Sequence, residues 1–226
     1  VDATTLNGVR PAVEGAYKPL AITGANDDGG GDPGPVCNAQ PYQVYYSPRV
    51  NKTVNGAMQA DEDVYRYDAA VCELSLVFDG TAAGLPATAN VDALAVRDGD
   101  LYLSFVAPLA VPGIPGTTDD SDVVKYSGGA FSLFFDGSAH GLTVDGEDVD
   151  AIAFDETGKL LLSTLGAYTV PGLTQGPDED LLRFDNGAWE LRFDGSHYGG
   201  LGAEDVVGAS VDASGRFYLS VIDAFT

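Results

Sequence analysis

Apolar side chains recur at every second residue along much of this chain. Leu74, Leu76 and Phe78 alternate with polar or smaller neighbours, and Phe131, Leu133 and Phe135, then Trp189, Leu191 and Phe193, repeat the arrangement. Period-two alternation puts one set of side chains on one face of a half-buried strand. The runs are short and are separated by Asp98-Gly99, Gly128-Gly129, Thr157-Gly158, Asn186-Gly187 and Ser214-Gly215. Such pairs turn hairpins because Gly, Asn and Asp tolerate the positive φ that tight turns need. No stretch carries a helical period, so the pattern predicts an all-β chain.

The runs fall into a repeat. DEDVYRYD from Asp61 is followed by CELSLVFDG, NVDALAV and LYLSF; DSDVVKY from Asp120 by FSLFFDG, DVDAIAF and LLLST; DEDLLRFD from Asp178 by WELRFDG, DVVGASV and FYLSV. Asp63, Asp122 and Asp180 correspond, which sets a period of 58–59 residues. A period of that size marks an array of supersecondary units. Each unit holds four short strands, read from the centre outward as A, B, C and D. In the best-defined unit these are Val149–Phe154, Leu160–Thr164, Asp180–Phe184 and Trp189–Phe193.

With its recurring FDG[ST]…GL and D-x-D-[LV] signatures, the chain from about Tyr42 onward resembles the β-propeller repeats of secreted and cell-surface microbial proteins. The resemblance implies about four four-stranded antiparallel blades. It also implies a binding or structural module, although some hydrolases and lactonases share the architecture. The whole chain reads as one β-repeat domain. Residues 1–41 form an atypical N-terminal segment, and 42–79, 80–137, 138–195 and 196–226 form the units, the last incomplete. Tyr42–Tyr46 fits strand B of the first blade and Pro19–Thr23 its strand A, with Gly24–Gln40 as an insertion. Val1–Lys18 remains to complete the last blade, either in its own chain or in a neighbouring copy.

Charge narrows the partners. The net charge is −23, which argues against nucleic acid and anionic membranes as partners and against membrane insertion. No apolar run is long enough to cross a bilayer as a helix. Of the 34 acidic residues only 8 are Glu. An excess of Asp suits turns and calcium loops better than helical surfaces. The chain begins at Val1 with no methionine and no charged-then-apolar leader, which reads as a processed mature chain or a trimmed one. Cys37 and Cys72 read as one disulfide of a secreted protein, and Asn51-Lys52-Thr53 is a glycosylation sequon at Asn51. The expected address is therefore extracellular or at the cell surface.

The repeated aspartates carry the candidate chemistry. An up-and-down blade puts the start of C, the end of D and the start of A on one rim. Asp63, Asp122 and Asp180 begin C strands, and Asp79, Asp136 and Asp194 end D strands. Asp92, Asp148, Asp150 and Asp205 begin A strands, while Asp120 and Asp178 lie in the B–C loops. Crowded carboxylates repel unless they are protonated or bridged by a cation. Flexible Asp/Gly loops can supply the six to eight oxygens that Ca2+ takes, so Ca2+ is the expected cofactor. The competing account is that each Asp caps a turn through backbone bonds.

Catalysis finds less support. There is no G-x-S-x-G elbow, and His140 and His197 read as exposed loop residues. Trp189 reads as core. Tyr42, Tyr45, Tyr46, Tyr65 and Tyr67 form a tyrosine-rich zone that is a candidate ligand surface. The sequence therefore points to a non-catalytic, calcium-binding structural protein that associates with its own copies through an open β edge. An extracellular glycan- or protein-binding module and a calcium-dependent hydrolase or lactonase are the alternatives.

Overall fold

The structure is a computed structural model that describes residues 42–222, apart from 55 and 203. Pro19–Thr23, Gly24–Gln40, Val1–Lys18 and Cys37 lie outside the described residues, so the expectations placed on them stand as expectations. Among the described residues all regular structure is β apart from two three-residue 3-10 turns, Ser138–His140 and Gly195–His197.

The strands assemble as a propeller-like array of antiparallel sheets. The first contains β1 (Gln43–Tyr46), β4 (Val64–Asp68) and β5 (Glu73–Phe78), in that order. A small hairpin of β2 (Lys52–Val54) and β3 (Ala57–Gln59) lies between β1 and β4 in the chain. The second sheet runs β6 (Val91–Arg97), β7 (Asp100–Phe105), β8 (Val123–Ser127), β9 (Ala130–Phe135). The third runs β10 (Val149–Phe154), β11 (Leu160–Thr164), β12 (Leu181–Asp185), β13 (Ala188–Phe193). The fourth pairs β14 (Asp205–Val211) with β15 (Phe217–Ile222).

Strands A and B of the third unit fall where the alternation places them. Strand C begins one residue later than expected, at Leu181, because the Asp180 carbonyl is taken by Ser163 Oγ at 2.8 Å and its carboxylate by another turn. The B–C connections are more ordered than their sequence suggests. In the first unit the connection is the β2–β3 hairpin. In the second and third, single bridges Leu109↔Thr118 and Tyr168↔Gly176 pinch the loop at a similar place.

The central strands β6, β10 and β14 pack beside one another, which explains why they are nearly continuous in buried residues. Farther out, sheets interlock through aromatic rings. Tyr102 meets Phe154 with centroids 4.6 Å apart, and Arg97 caps the Phe154 ring at 5.0 Å while donating to the Gly158 carbonyl at 2.8 Å. Trp189 is core, as expected, with its indole N–H donated to the His140 carbonyl at 2.9 Å.

Candidate functional site

The two sequence signatures hold each other. Asp63 Oδ1 accepts from Gly80 N at 2.9 Å, Asp122 Oδ1 from Gly137 N at 3.0 Å, and Asp180 Oδ1 from Gly195 N at 3.0 Å. The residue just before strand C thus grips the turn that ends strand D. The second carboxylate oxygen is also engaged, by Tyr65 Oη at 2.9 Å, by Asp119 N at 2.9 Å and by Tyr168 Oη at 3.0 Å respectively. The glycines have their own reason. A Cβ on Gly80, Gly137 or Gly195 would lie 2.4, 2.3 or 2.3 Å from the carbonyl oxygen of Glu62, Ser121 or Glu179, a separation side chains do not tolerate.

Burial of these three carboxylates raises their pKa values, and the bonds they accept oppose that shift. The same environment pushes the Tyr65 hydroxyl up to about 12, chiefly through burial.

The end-of-D aspartates cap the turns that follow. Asp79 Oδ1 accepts from Ala82 N at 2.8 Å, Asp136 Oδ1 from Ala139 N at 2.8 Å, and Asp194 Oδ1 from His197 N at 3.2 Å. These three are more exposed than the strand-C aspartates. In the B–C loops the backbone does the work. Ser104 Oγ donates to the carbonyls of Asp120 (3.0 Å) and Asp122 (2.9 Å), and Ser163 Oγ to those of Asp178 (2.9 Å) and Asp180 (2.8 Å). Ser47 Oγ reaches the Asp61 carbonyl at 3.1 Å. The carbonyls of Asp61, Asp120 and Asp178 also accept from Val91, Val149 and Val206 of the next sheet, so each corner stitches two blades together.

The side chains of Asp119 and Asp120 share a hydrogen bond. That bond, with burial and repulsion from Asp119, pushes Asp120 up to about 6, while the same bond and backbone hydrogen bonds hold Asp119 below its ordinary value against the effect of burial. Asp92, Asp148 and Asp150 are buried at the starts of the central strands, with Asp205 half-buried in the corresponding place. Among the described residues, no three His, Cys, Asp or Glu side chains gather closely enough to hold a metal ion by themselves. The aspartates before strand C are thus spent on backbone and hydroxyl donors.

Several participants escape the sequence pattern. Glu147 is buried and accepts from the backbone of Thr143, Val144 and Thr169, which ties the D–A loop to the following B–C loop. Glu62 and Glu179 take the hydroxyls of Thr81 and Ser196 at 2.6 and 2.8 Å. The signal was present as the E of D-E-D in two units. Asp155 and Asp212 fold the A–B turns by accepting from Thr157 and Lys159, and from Ser214 and Arg216.

His140 is not a free loop residue. Its ring stacks on Phe135 at 5.3 Å and meets Phe184 at 4.4 Å, whereas His197 is exposed. It borders a groove of about 400 Å³ between the second and third sheets, lined also by Phe134, Lys159, Phe184 and Asp185. The tyrosine-rich zone is largely packed inward. Tyr46 and Tyr65 are buried and stacked 5.7 Å apart, and Tyr42, Tyr45 and Tyr67 are half-covered. Asn51 is exposed, and its side-chain oxygen accepts from Asp61 N at 2.9 Å.

The fourth sheet departs from the other three. Among the described residues β15 pairs with β14 alone. Ser220 stands where Ser104 and Ser163 stand, yet its Oγ is shielded from solvent and meets no hydrogen-bond partner. Elsewhere that hydroxyl is the one that receives strand C.

No protein-family model matches the chain, and no curated protein matches it. Solved structures resemble it at low identity. The extracellular domain of a one-component system, BT4673 of B. thetaiotaomicron, is 14% identical with a TM-score of 0.36, over 73% of this chain and 24% of that one. A protein assigned as a gluconolactonase is 17% identical with a TM-score of 0.35, over 80% and 59%. YCF48 bound to D1 peptide is 9% identical with a TM-score of 0.32, over 72% and 55%. The chain therefore spans about a quarter to three-fifths of the length of the structures it resembles.

Proposed function

We propose that this protein is a non-catalytic extracellular structural module that joins copies of itself through the open edge of β15, with Ca2+ neutralising its acidic rim. The observation that carries this reading is the edge itself. Among the described residues β15 pairs only with β14, and Ser220 Oγ is buried there without a hydrogen-bond partner. An open edge is a template for strand addition. Addition that runs head to tail without closing gives a fibre.

The charge works against association unless it is screened. At −23 per chain, copies repel, and a divalent cation between rims relieves that repulsion. Asp79, Asp120, Asp136, Asp178 and Asp194 are the carboxylates placed to do so, because they keep solvent access while Asp63, Asp122 and Asp180 are engaged inside. Light scattering of the full chain in Ca2+ and in chelator tests the reading. Particle mass that grows with concentration in Ca2+ and falls in chelator supports it. A monomer at every concentration in Ca2+ overturns it.

The groove beside His140 favours a second reading, a ligand-binding module. Phe134 is exposed at its edge, and Lys159 pairs with Asp185 at 2.6 Å beside it. An apolar wall with a few polar groups is the usual composition of a ligand cleft. A glycan-array signal lost in Phe134→Ala would support that alternative.

A further inference from the structure

The connection between β1 and β4 differs from its counterparts. In the second and third sheets the B–C loop folds back on the body, and Val111 and Val170 are buried in it. In the first sheet the connection is the β2–β3 hairpin, and it stands out into solvent. Residues 49–53 and 56–58 are exposed, Val50 at 60% and Met58 at 66%. The hairpin is held at its root. Gln59 Oε1 accepts from Tyr46 Oη at 3.0 Å, Asn51 Oδ1 from Asp61 N at 2.9 Å, and the Arg49 carbonyl from Asn90 Nδ2 at 2.9 Å. A two-stranded hairpin surrounded by water is marginal by itself and gains stability from whatever covers it.

Charge identifies the cover. Residues 48–60 hold Arg49 and Lys52 and no Asp or Glu, in a chain of net charge −23. Neither cation meets a carboxylate among the described residues, whereas Arg97, Lys125, Lys159, Arg183, Arg192 and Arg216 each pair with one. The rim is the reverse. Connections 79–90, 106–122, 136–148, 165–180 and 194–205 all hold acidic residues and contain neither Lys nor Arg. Asp79, Asp145 and Asp194 are exposed on them, as are Val106, Val144 and Leu165. The bond from Gly166 N to the Gly146 carbonyl, at 2.7 Å, brings the stretch holding Leu165 beside the one holding Val144 and Asp145.

We propose that the β2–β3 hairpin docks on the acidic rim of a second copy of this chain. Arg49 and Lys52 meet rim carboxylates, and Val50 and Met58 meet Val144 and Leu165. Hairpin and rim lie on the same side of the molecule, because Asn90 holds the Arg49 carbonyl while its own carbonyl accepts from Val106 N at 3.0 Å. The contact is therefore reciprocal. Each copy gives its hairpin and receives the other's, which closes as a two-fold dimer. At physiological salt the net charges are screened beyond about 8 Å, so opposite charges in contact decide the pairing. The inference shares with the reading above only that copies associate; it uses neither β15 nor Ca2+.

Charge exchange in the full chain, read by sedimentation equilibrium in chelator at physiological salt, tests it. One variant carries Arg49→Glu with Lys52→Glu. The other carries Asp145→Lys with Asp178→Lys, at an exposed and a half-buried rim position. Each variant alone should dimerise about tenfold more weakly than the unaltered chain, because like charges then face each other. Mixed in equal amounts, the two should pair about as tightly as the unaltered chain, since each hairpin then meets a rim of opposite sign. That recovery also shows that both variants fold. Association unchanged in either variant alone overturns the inference and leaves β15 as the contact. A mixture no tighter than its components overturns it as well. An unaltered chain that stays monomeric in chelator overturns this contact while a Ca2+-dependent one at β15 still stands. Zero-length carbodiimide coupling in a mixture of isotope-labelled and unlabelled chains identifies the occupant. Links from Lys52 to a rim carboxylate of the differently labelled chain support the inference. Links from Lys52 only to its own chain, Asp27, Asp28 and Asp32 included, overturn it.

Discussion

Removing the Asp180 carboxylate should destabilise the protein by about 2–4 kcal/mol, whether or not Ca2+ is present. Two donors lose their acceptor in Asp180→Ala, the Gly195 N–H at 3.0 Å and the Tyr168 hydroxyl at 3.0 Å. Asp180 and Tyr168 are each 3% exposed, so water does not readily replace the carboxylate. Hydrogen bonds to a charged group contribute about 1.5–3 kcal/mol each, giving roughly 3–6 kcal/mol in all. Holding a buried anion opposes this, and burial does raise the Asp180 pKa, which trims the loss to about 2–4 kcal/mol. Asp180→Asn keeps an acceptor for Gly195 N and should cost less than about half as much. Urea unfolding at pH 7 in chelator measures both variants, and a repeat in Ca2+ separates a lock from a metal ligand. A loss below about 1 kcal/mol in chelator that grows only with Ca2+ would refute the lock and make Asp180 a calcium ligand.

Other consequences follow from the same rim. Gly137→Ala pushes a Cβ to 2.3 Å from the Ser121 carbonyl and should cost about 2–4 kcal/mol in the same assay, whereas Gly99→Ala, with nothing within 4 Å but φ at +84°, should cost about 1 kcal/mol. Asp120 titrates near 6 when folded, above its unfolded value near 3.8, so the native state binds the extra proton between those values and stability rises as pH falls from 7 toward 5. Thermal melts at the two pH values should show that gain, and Asp120→Asn should shrink it. If Cys37 and Cys72 pair, the bridge closes a loop of about 36 residues, and Cys72→Ser should cost about 3–4 kcal/mol; peptide mapping without reductant that finds Cys72 as a free thiol contradicts it.

Much of the fold was legible because period-two alternation and turn dipeptides are local signals. Val149–Phe154 and Leu160–Thr164 are set by side chains that alternate between two buried faces. The β2–β3 hairpin was missed because its six strand residues carry too little alternation to count. At the rim, the sequence showed which aspartates recur but not where their lone pairs point. Asp122 next to Gly137 is visible as a repeat, yet only the folded chain shows that the carboxylate faces a backbone N–H rather than solvent. His140 read as exposed because it follows a polar turn, and it is covered because Phe135 and Phe184 close on it from two sheets. Glu147 carries no motif and acts through three backbone groups, two of them within four residues and one 22 residues away.

Hydrogen–deuterium exchange along β15 tests the central claim most directly, because protection of an edge strand depends on what pairs with it. In the full chain in Ca2+, the amides of Phe217–Ile222 should be protected to a degree comparable with Leu160–Thr164 of β11. Rapid exchange throughout β15 in the assembled full-length protein, with β11 protected, would contradict the claim that this edge is where a further strand is received.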